Sequence, residues 1–240
     1  MHPERESLNT LAKIRAIQGE YNFAGQYQQS PSPLGGGMVK LEWFKTYQPH
    51  ELPESFDLIF QSWDTANKAS ELSDYSVCTT WGIKKENLYL LDVFRKRMEY
   101  PELKRTVKEL AKQFAAKNVL IEDKASGTQL IQELYYEGLY ETTRYEPKGD
   151  KVLRMASASS MIEGGFVHLP AKAPWKDIYL NELSSFPMGK HDDQADSTSQ
   201  ALDWRKSKYM GPGMGIWYYY RDLYIEHCRE EGREPDPEML

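Results

Sequence analysis

Apolar residues are grouped along the chain in two ways, as short compact runs and as stripes with helical spacing. Three compact runs follow one another closely and are typical of β-strands: residues 57–64, 75–84 and 87–95. In the first run the apolar side chains crowd together instead of alternating with polar ones, which is typical of a strand covered on both faces. Only Lys85 and Glu86 separate the second run from the third, so we expect a tight antiparallel hairpin there.

The remaining pattern predicts helices that alternate with shorter strands. Pro101 suits the first position of a helix, and the apolar residues that follow it lie on one helical face. Ser126 is a suitable N-cap for a second helix, which ends at Gly138. The order of elements therefore begins β-β-β-α-β-α. The other predicted elements are a strand over 118–123, a loop over 145–150, a helix over 151–163, a strand over 166–169 and helices over 175–184 and 192–204.

The two ends of the chain differ in character from the middle. Helical spacing of apolar residues predicts a short amphipathic helix within residues 1–20, and the prolines and glycines of 30–37 are typical of a linker. We therefore predict three parts. These are an N-terminal helix and linker arm (1–50), one domain (51–205) and a C-terminal tail of unknown role (206–240).

The composition is that of an ordinary globular protein with one sizeable core. The chain has 240 residues, of which 40% are hydrophobic and 28% charged. Its apolar runs are too short to span a bilayer and its N-terminus lacks the apolar core of a signal peptide, so we expect a cytoplasmic protein without a membrane partner. Cys78 and Cys228 have no CxxC spacing, which argues against structural zinc or a redox motif.

Carboxylates mark three points of the predicted fold. Asp64 closes the first strand, and Glu122 and Asp123 close the strand that follows the first predicted helix. A third cluster opens the last helix and consists of Asp192, Asp193 and Asp196. A carboxylate at the end of a buried strand is costly unless a positive charge meets it. Because the three clusters come from rigid elements, we expect them to converge on divalent metal ions.

Such a site has a specific chemical use. In-line hydrolysis of a phosphodiester needs an activated water and a stabilised leaving oxygen, and two metal ions supply both. Mg²⁺ prefers oxygen ligands and is usually held by a few carboxylates together with water and phosphate. The pattern therefore predicts a two-metal nuclease that acts on DNA. The net charge of −6 argues against strong non-specific affinity for nucleic acid, so something else must help to hold the substrate.

The same residues allow other interpretations. Asp192 and Asp193 also suit the positive end of a helix dipole, and Asp64 suits the start of a turn. Glu122 and Lys124 form an ExK pattern, the core of restriction-enzyme-like nuclease sites, but that interpretation gives the last acidic cluster no role. Lys124 otherwise contacts phosphate or is a solvated charge.

Basic residues near the predicted strand ends and loops are candidates for DNA contact. Each is an ordinary solvated charge when taken singly, but together they suit a shared phosphate-binding rim. His191, beside Asp192, suits either a proton relay or a capping role. The candidates for DNA contact are Lys84, Lys85, Arg95, Lys96, Arg97, Lys124, Lys148, Lys151 and Arg154.

Taken in order, several motifs resemble those of a known family, the large subunit of phage terminases. The arm at 21–44 resembles the segment that joins the ATPase of that family to its nuclease. The resemblance extends over roughly residues 5–205. The motifs that are similar to the family's nuclease are SWDTA at 62–66, VLIEDKASG at 119–127, PKGDKVLRM at 147–155 and HDDQADSTSQAL at 191–202.

The resemblance implies an α/β fold of the RNase H-like (RuvC or integrase) type. Its mixed sheet has three antiparallel strands followed by parallel strands, and helices flank it. The implied activity is endonucleolytic cleavage of double-stranded, concatemeric viral DNA during phage genome packaging, with two Mg²⁺ or Mn²⁺ ions. The implied partners are double-stranded DNA, a terminase ATPase domain, the small terminase subunit and the portal, in the cytoplasm of the host cell.

The resemblance also implies which acids act. Asp64 is the first-strand metal ligand, Glu122 the second-strand ligand, and Asp193 with Asp196 the ligands on the closing helix. Each doublet leaves an alternative, because its other member lies one position away. The alternatives are Asp123 for Glu122 and Asp192 for Asp193.

One part of the family pattern is missing from this sequence. No GxxxxGK[ST] phosphate loop occurs, so we expect neither ATP hydrolysis nor DNA translocation by this chain. The expectation is an isolated nuclease domain or a truncated prophage remnant. The rival hypothesis is a non-catalytic module of the same fold that docks on DNA, on a motor or on a portal.

Overall fold

The structure is a computed structural model that describes residues 38–66, 75–124, 126–147 and 149–209. The predicted N-terminal helix, most of the arm and the C-terminal tail lie outside these residues, as do Cys228 and Lys148. The capping role predicted for the Ser126 side chain also lies outside what the structure describes.

The described residues form seven strands and five α-helices, which are numbered below in the order in which they occur along the chain. Short 3₁₀ turns lie at Leu41–Trp43 and Pro49–Glu51. The strands are β1 (Lys45–Tyr47), β2 (Leu58–Asp64), β3 (Ser76–Lys84), β4 (Asn87–Lys96), β5 (Asn118–Glu122), β6 (Thr142–Tyr145) and β7 (Val167–Pro170). The helices are α1 (Tyr100–Gln113), α2 (Ser126–Tyr136), α3 (Lys151–Glu163), α4 (Lys176–Ser185) and α5 (Asp193–Tyr209).

All seven described strands belong to one mixed sheet. Their order across the sheet is β1-β7-β4-β3-β2-β5-β6. The pairs β2–β3 and β3–β4 are antiparallel, whereas β2–β5, β5–β6, β4–β7 and β1–β7 are parallel. The predicted fold class, three antiparallel strands followed by parallel strands, is therefore confirmed.

The central strands agree closely with the sequence pattern. β2 lies between two other strands, which accounts for its continuous apolar run. The predicted hairpin joins β3 to β4 at Lys85, whose φ of 54° turns the chain. Two short strands were not predicted. β1 has only three residues, and β6 begins upstream of the predicted loop over 145–150.

Helices α1 and α2 cover one face of the sheet. Their apolar stripes pack against side chains of β2, β3 and β5 and form a buried cluster. This arrangement follows from the helical spacing of those stripes, which places the apolar residues on one side of each helix. The cluster includes Trp63, Cys78, Leu103, Val107, Val119, Ile121, Leu130 and Leu134.

The opposite face of the sheet is polar where α5 crosses it. Trp63 of β2 points to the face that α1 and α2 cover. The side chain of its neighbour Ser62 points to the opposite face, because successive side chains in a strand alternate between the two sides. Ser62, Thr79 and Ser197 are fully buried and are joined by hydrogen bonds. Buried polar groups of this kind are tolerated because each finds a partner.

The chain divides into two compact units, Met1–Ala201 and Leu202–Leu240. The sheet, helices α1 to α4 and the first part of α5 belong to the first unit. Of the second unit, the structure describes only the end of α5, up to Tyr209. No helix among the described residues is long and apolar enough to cross a membrane.

Candidate functional site

Two acidic strand ends lie side by side at one edge of the sheet. β2 and β5 are parallel neighbours, and Trp63 is paired with Ile121. The next residue of each strand is an acid, Asp64 in β2 and Glu122 in β5. The carboxyl ends of the two strands therefore bring these two carboxylates to the same place, as the sequence predicted for rigid elements.

The α5 helix lies over the same face of the sheet. Ser62 Oγ donates a hydrogen bond to the Ser197 carbonyl oxygen at 2.7 Å, and Ser197 Oγ donates one to the Ser62 carbonyl oxygen at 2.8 Å. Asp64 is two positions after Ser62, so both side chains point to the face that α5 covers. Paired residues in neighbouring strands share a face, which puts Glu122 on that side as well.

The α5 helix straddles the sheet, and this separates its aspartates. Gln200 Nε2 lies 3.4 Å from the carbonyl oxygens of Trp63 and Leu120, on the β2 and β5 side. Residues four apart share a helix face, so Asp196 points in the same direction as Gln200. Asp193 is four residues before Ser197 and points towards β3 and β4 instead.

A cavity of about 530 Å³ opens where β5, α3 and α5 meet. Of the predicted metal ligands, Glu122, Asp123 and Asp196 line it, whereas Asp64, Asp192 and Asp193 are not among its lining residues. Positive side chains line it too. The cavity therefore combines carboxylate oxygens, which can bind a metal ion, with cations, which can bind phosphate. Its acidic and basic lining residues include Glu122, Asp123, Asp196, Lys124, Lys151 and Arg154.

Asp196 is held in an environment that is unfavourable for its charge. Burial raises the pKa of its carboxyl group, while the nearby charges of Lys151 and Arg154 act in the opposite direction. The charges of Glu122 and Glu182 add to the rise in pKa. Oδ1 of Asp196 is buried, has no hydrogen-bond partner among the described residues and lies 3.6 Å from Arg154 Nη2. An added cation at this oxygen would therefore be stabilising.

The doublet at the end of β5 is divided between two environments. Asp123 Oδ1 accepts a hydrogen bond from Thr128 Oγ1 at 2.7 Å, and Asp123 Oδ2 lies 3.1 Å from Arg144 Nη1. Glu122 has a looser ion pair, with Lys124 Nζ at 3.7 Å. Asp123 is thus tied to neighbouring groups of the fold, whereas Glu122 is the less constrained acid of the cavity.

A glycine fixes the turn that follows Glu122. A Cβ at Gly127 would lie 2.0 Å from the Glu122 carbonyl oxygen, so the start of α2 approaches β5 more closely than any side chain allows. The Gly127 N–H also donates to the Lys124 carbonyl oxygen at 3.0 Å. This explains why a glycine follows the acidic motif so soon.

The neighbouring aspartates at the start of α5 also have different partners. Asp192 forms an ion pair with Lys151 on α3. Asp193 is buried, and its Oδ2 lies 3.7 Å from Arg95 Nη2 and 4.0 Å from His191 Nδ1. Asp193 is therefore directed at the end of β4, and the cavity lining does not include it.

Glu182 of α4 is an important residue that the sequence patterns did not single out. Its Oε1 accepts hydrogen bonds from the backbone N–H groups of Gln194 at 2.6 Å and Ala195 at 3.3 Å. Its Oε2 accepts from Gln194 Nε2 at 2.6 Å and lies 3.6 Å from Arg95 Nη2. Glu182 thus supplies the helix-capping acceptor for α5 from another element. The available signal was an acid between the buried Tyr179 and Leu183.

Six of the predicted DNA-contact residues fall into three groups in the structure. Lys124, Lys151 and Arg154 line the cavity. Lys84 lies 3.3 Å from Asp57, and Lys84 and Lys85 are at the hairpin, the far end of β3 from the residue that pairs with Asp64. Arg95 is largely buried against Glu182 and Asp193. Lys84, Lys85 and Arg95 are therefore not brought to the cavity with the first group.

The donor set fits a hard divalent cation. Glu122 and Asp196 offer carboxylate oxygens to one cavity, and Asp64 ends the adjoining strand. No three acidic, histidine or cysteine side chains of the described residues already stand together as a metal cluster. Water and substrate phosphate commonly complete such a coordination shell, so a few carboxylates are sufficient.

The sequence of this chain matches the model of a known protein family. Residues 61–204 match the model of the terminase RNaseH-like domain. The chain belongs to this terminase family. The matched range includes both strand ends and the start of α5, and the predicted resemblance to terminase nucleases is confirmed, whereas the arm at 21–44 lies outside the matched range. A comparison with curated proteins found no match.

Terminase nucleases of known structure share the fold. The large terminase nuclease of thermophilic phage G20c with bound magnesium has a TM-score of 0.55 and 17% identity, over 71% of this chain and 98% of that one. The large terminase nuclease domain of Thermus phage P74-26 has a TM-score of 0.52 and 17% identity, over 70% and 94%.

A longer terminase aligns over part of its length. The large terminase of thermophilic bacteriophage D6E in complex with ADP has a TM-score of 0.52 and 13% identity, over 85% of this chain and 53% of that one. The terminase domain described here therefore spans about half of the D6E chain. At these identities the structural likeness establishes the fold.

Proposed function

We propose that this terminase domain is a metal-dependent endonuclease that cleaves double-stranded DNA during phage genome packaging. The observation that carries the proposal is the meeting of Glu122 and Asp196 at one cavity, with Asp64 at the end of the adjoining strand. Family membership supports it. The G20c nuclease, which has the same fold, has been crystallised with magnesium, cobalt and zinc.

Asp64, Glu122 and Asp196 are the residues that would hold Mg²⁺ or Mn²⁺, and two ions are proposed. When bound, such ions activate a water and stabilise the leaving oxygen of a phosphodiester. Asp193, the fourth catalytic acid that the resemblance implied, lies outside the cavity lining, and we assign it a positioning role because its contact with Arg95 ties the start of α5 to β4. Asp123 and Asp192 instead neutralise Arg144 and Lys151.

The cations of the cavity prepare it for a phosphate. Arg154 is largely buried and lies against Asp196, so its position is fixed before any substrate arrives. Its Nη1 also donates a hydrogen bond to the Gly149 carbonyl oxygen at 3.3 Å, which holds the side chain at the cavity. Lys124 is mostly exposed and Lys151 half-exposed, which suits contacts with the DNA backbone at the mouth of the cavity.

The proposed partners follow from the packaging role. They are double-stranded DNA, a terminase ATPase domain, the small terminase subunit and the portal. The D6E large terminase binds ADP and is about twice as long as the matched part, which supports an ATPase partner for a domain of this kind. The acidic net charge of −6 also fits a domain to which other subunits bring DNA.

The test is cleavage of supercoiled plasmid by the full chain in Mg²⁺, in Mn²⁺ and in EDTA. We expect nicking and linearisation that need metal. Asp64→Ala and Asp196→Ala should each lower the rate by at least about 100-fold, because even residues that only support metal ligands cost 10- to 100-fold. Asp192→Ala is the matched control and should retain most activity, since Asp192 pairs with Lys151.

Two other outcomes would replace the proposal. If the wild-type chain is folded and no metal supports cleavage, the non-catalytic docking module is the better description. If cleavage survives Asp196→Ala and is lost in Lys124→Ala, the ExK site is the nuclease.

A further inference from the structure

Tyr75, just before β3, contacts two arginines at once. The Arg95 guanidinium carbon lies 3.8 Å from the centre of the tyrosine ring, and that of Arg97 lies 4.4 Å from it. Stacking on an aromatic face attracts a guanidinium and restricts its motion. The His191 ring meets the same tyrosine edge-on at 5.5 Å. The tyrosine is therefore a platform that holds two positive groups in fixed positions.

The two arginines differ in how their charge is balanced. Arg95 lies between two buried acids, with Glu182 at 3.6 Å and Asp193 at 3.7 Å. Arg97 is exposed, and no carboxylate among the described residues forms an ion pair with it. Like charges that share one ring repel, so the neutralisation of Arg95 is what allows Arg97 to remain there. Among the described residues, the platform thus carries one positive charge that no ion pair matches.

The neighbouring cation offers a direct contrast. Lys96 lies one residue before Arg97 and is also exposed, but its Nζ is 2.6 Å from Glu102 Oε1. Its charge is therefore already matched by an acid. Of the run Arg95, Lys96 and Arg97, only the last combines exposure, a fixed position and an unmatched charge within the described chain.

The platform lies at the same sheet edge as the catalytic acids. Val77 is paired with Asp64 on one side and with Arg95 on the other, so the ends of β2, β3 and β4 are level. The sheet order puts β4 three strands from β5. Adjacent strands are about 4.8 Å apart, which puts the end of β4 roughly 14 Å from Glu122. A DNA backbone that enters the cavity has further phosphates within that reach.

We propose that Arg97, stacked on Tyr75, binds a backbone phosphate of the DNA at a distance from the cleaved bond. The inference rests on the proposed nuclease function and adds a contact outside the cavity. A guanidinium suits this role because its planar set of donors matches a phosphate, and stacking leaves those donors free at the edge of the plane. The contact is to the backbone and should be insensitive to base sequence.

The test is the salt dependence of binding to a short linear DNA duplex, measured by fluorescence anisotropy with the full chain in EDTA. Each phosphate contact contributes about 0.9 to the slope of log K against log salt. Arg97→Gln should lower the magnitude of the slope by about 0.9, so its affinity falls about 3.5-fold less than that of the wild type between about 50 and 200 mM salt. Lys96→Gln, which removes the same charge, should leave the slope unchanged.

Arg97→Lys separates a charge contact from a loss of structure. It keeps the charge, so it should keep the slope while binding more weakly at every salt concentration. Equal slopes for Arg97→Gln and Lys96→Gln would overturn the contact, as would a slope loss in Arg97→Lys as large as in Arg97→Gln. If the wild type fails to bind duplex at any salt concentration, the contact and the proposed DNA substrate are both overturned, whereas equal slopes with metal-dependent plasmid cleavage overturn the contact alone.

Discussion

The three aspartates at the start of α5 occupy three different environments, although they are at most four positions apart. Asp192 pairs with Lys151, Asp193 lies against Arg95, and Asp196 lines the cavity. Asp193 meets the end of β4, whereas Asp192 and Asp196 both meet cations of α3, Lys151 and Arg154 respectively. The sequence was sufficient to find the acidic cluster. It was insufficient to assign a role to each aspartate, because the role depends on which basic side chain lies beside that aspartate in the folded chain.

Glu182 is a residue whose role the sequence pattern did not predict. A single glutamate on a helix is usually a solvated charge, and no motif distinguishes this one. Its importance arises only when α4 and the start of α5 are brought together, so that one carboxylate caps a distant helix and meets Arg95. Roles of this kind depend on tertiary contacts and leave little trace in local spacing.

We expect Glu182→Ala to lower the free energy of unfolding by about 1–3 kcal/mol, because buried N–H groups at the start of α5 lose their acceptor. The same variant should lower metal-dependent plasmid cleavage about 10- to 100-fold, since the helix that carries Asp196 is less well fixed. Urea unfolding and the cleavage assay measure the two effects.

Two variants separate positioning from general destabilisation. Glu182→Gln keeps a carbonyl acceptor and should restore most of the activity, and Glu182→Ala should need more Mn²⁺ for half-maximal cleavage. Asp177→Ala removes an exposed acid from the same helix and should change stability by no more than about 1 kcal/mol. An unchanged Mn²⁺ requirement in a destabilised Glu182→Ala protein would contradict the positioning role.

At the scale of elements, long patterned segments were predictable and short ones were not. The bounds of α3 were predicted residue for residue, and β2, β3 and β4 to within one residue at each end. β1 and β6 were missed because they are too short to show alternation and acquire their structure from the strands beside them. The predicted order of elements was nevertheless sufficient to bring Asp64 and Glu122 together.

A charged network links α1 to the end of α2. Lys104 Nζ lies 2.8 Å from Glu133 and 2.7 Å from Glu137, and Lys108 Nζ lies 2.8 Å from Glu137. Hydrogen bonds from Lys104 and then from Lys108 lower the pKa of Glu137 to about 2. A lowered carboxyl pKa stabilises the folded state above the ordinary pKa of 4.5, and this stabilisation is lost as the pH falls towards 2.

We expect Glu137→Gln to be less stable than the wild type near neutral pH, because Lys104 and Lys108 lose a shared carboxylate. The difference should shrink as the pH falls from 4.5 towards about 2, and it should also shrink with added salt, because the pair is partly exposed. Thermal unfolding followed by circular dichroism across this pH range measures it. Glu109→Gln, an exposed acid of α1, serves as the control, and the same pH dependence in that variant would contradict the assignment.

At the scale of the whole molecule, acidic and basic groups lie side by side around the cavity, and the acids outnumber the cations. The lining has five acids, Glu122, Asp123, Glu146, Asp150 and Asp196, against three cations, Lys124, Lys151 and Arg154, so the cavity is acidic, as is the whole chain with its net charge of −6. Family and fold were predictable from the order of the motifs, because that order is a property of the entire chain. The ion pairs were not, because several cations were equally close in sequence.

Metal binding should therefore register on the stability of the whole domain. We expect Mn²⁺ to raise the melting temperature of the wild type, corresponding to about 2.7 kcal/mol when the free ion is at 100 times its dissociation constant, and EDTA to reverse the shift. Asp196→Asn should abolish the response and Asp192→Asn should keep it. Differential scanning calorimetry with and without Mn²⁺ is the measurement. A shift of equal size in Asp196→Asn would contradict the ligand assignment.

The outer strands of the sheet bear on how the protein behaves at high concentration. In the described part of the chain, the two edge strands β1 and β6 have three and four residues, while the inner strands β3 and β4 have nine and ten. An unpaired edge is a template on which another molecule can add a strand. Here β3 is paired with β2 and β4 along its length and offers no template, and the two outermost strands offer templates of only three and four residues, which disfavours strand addition at those edges.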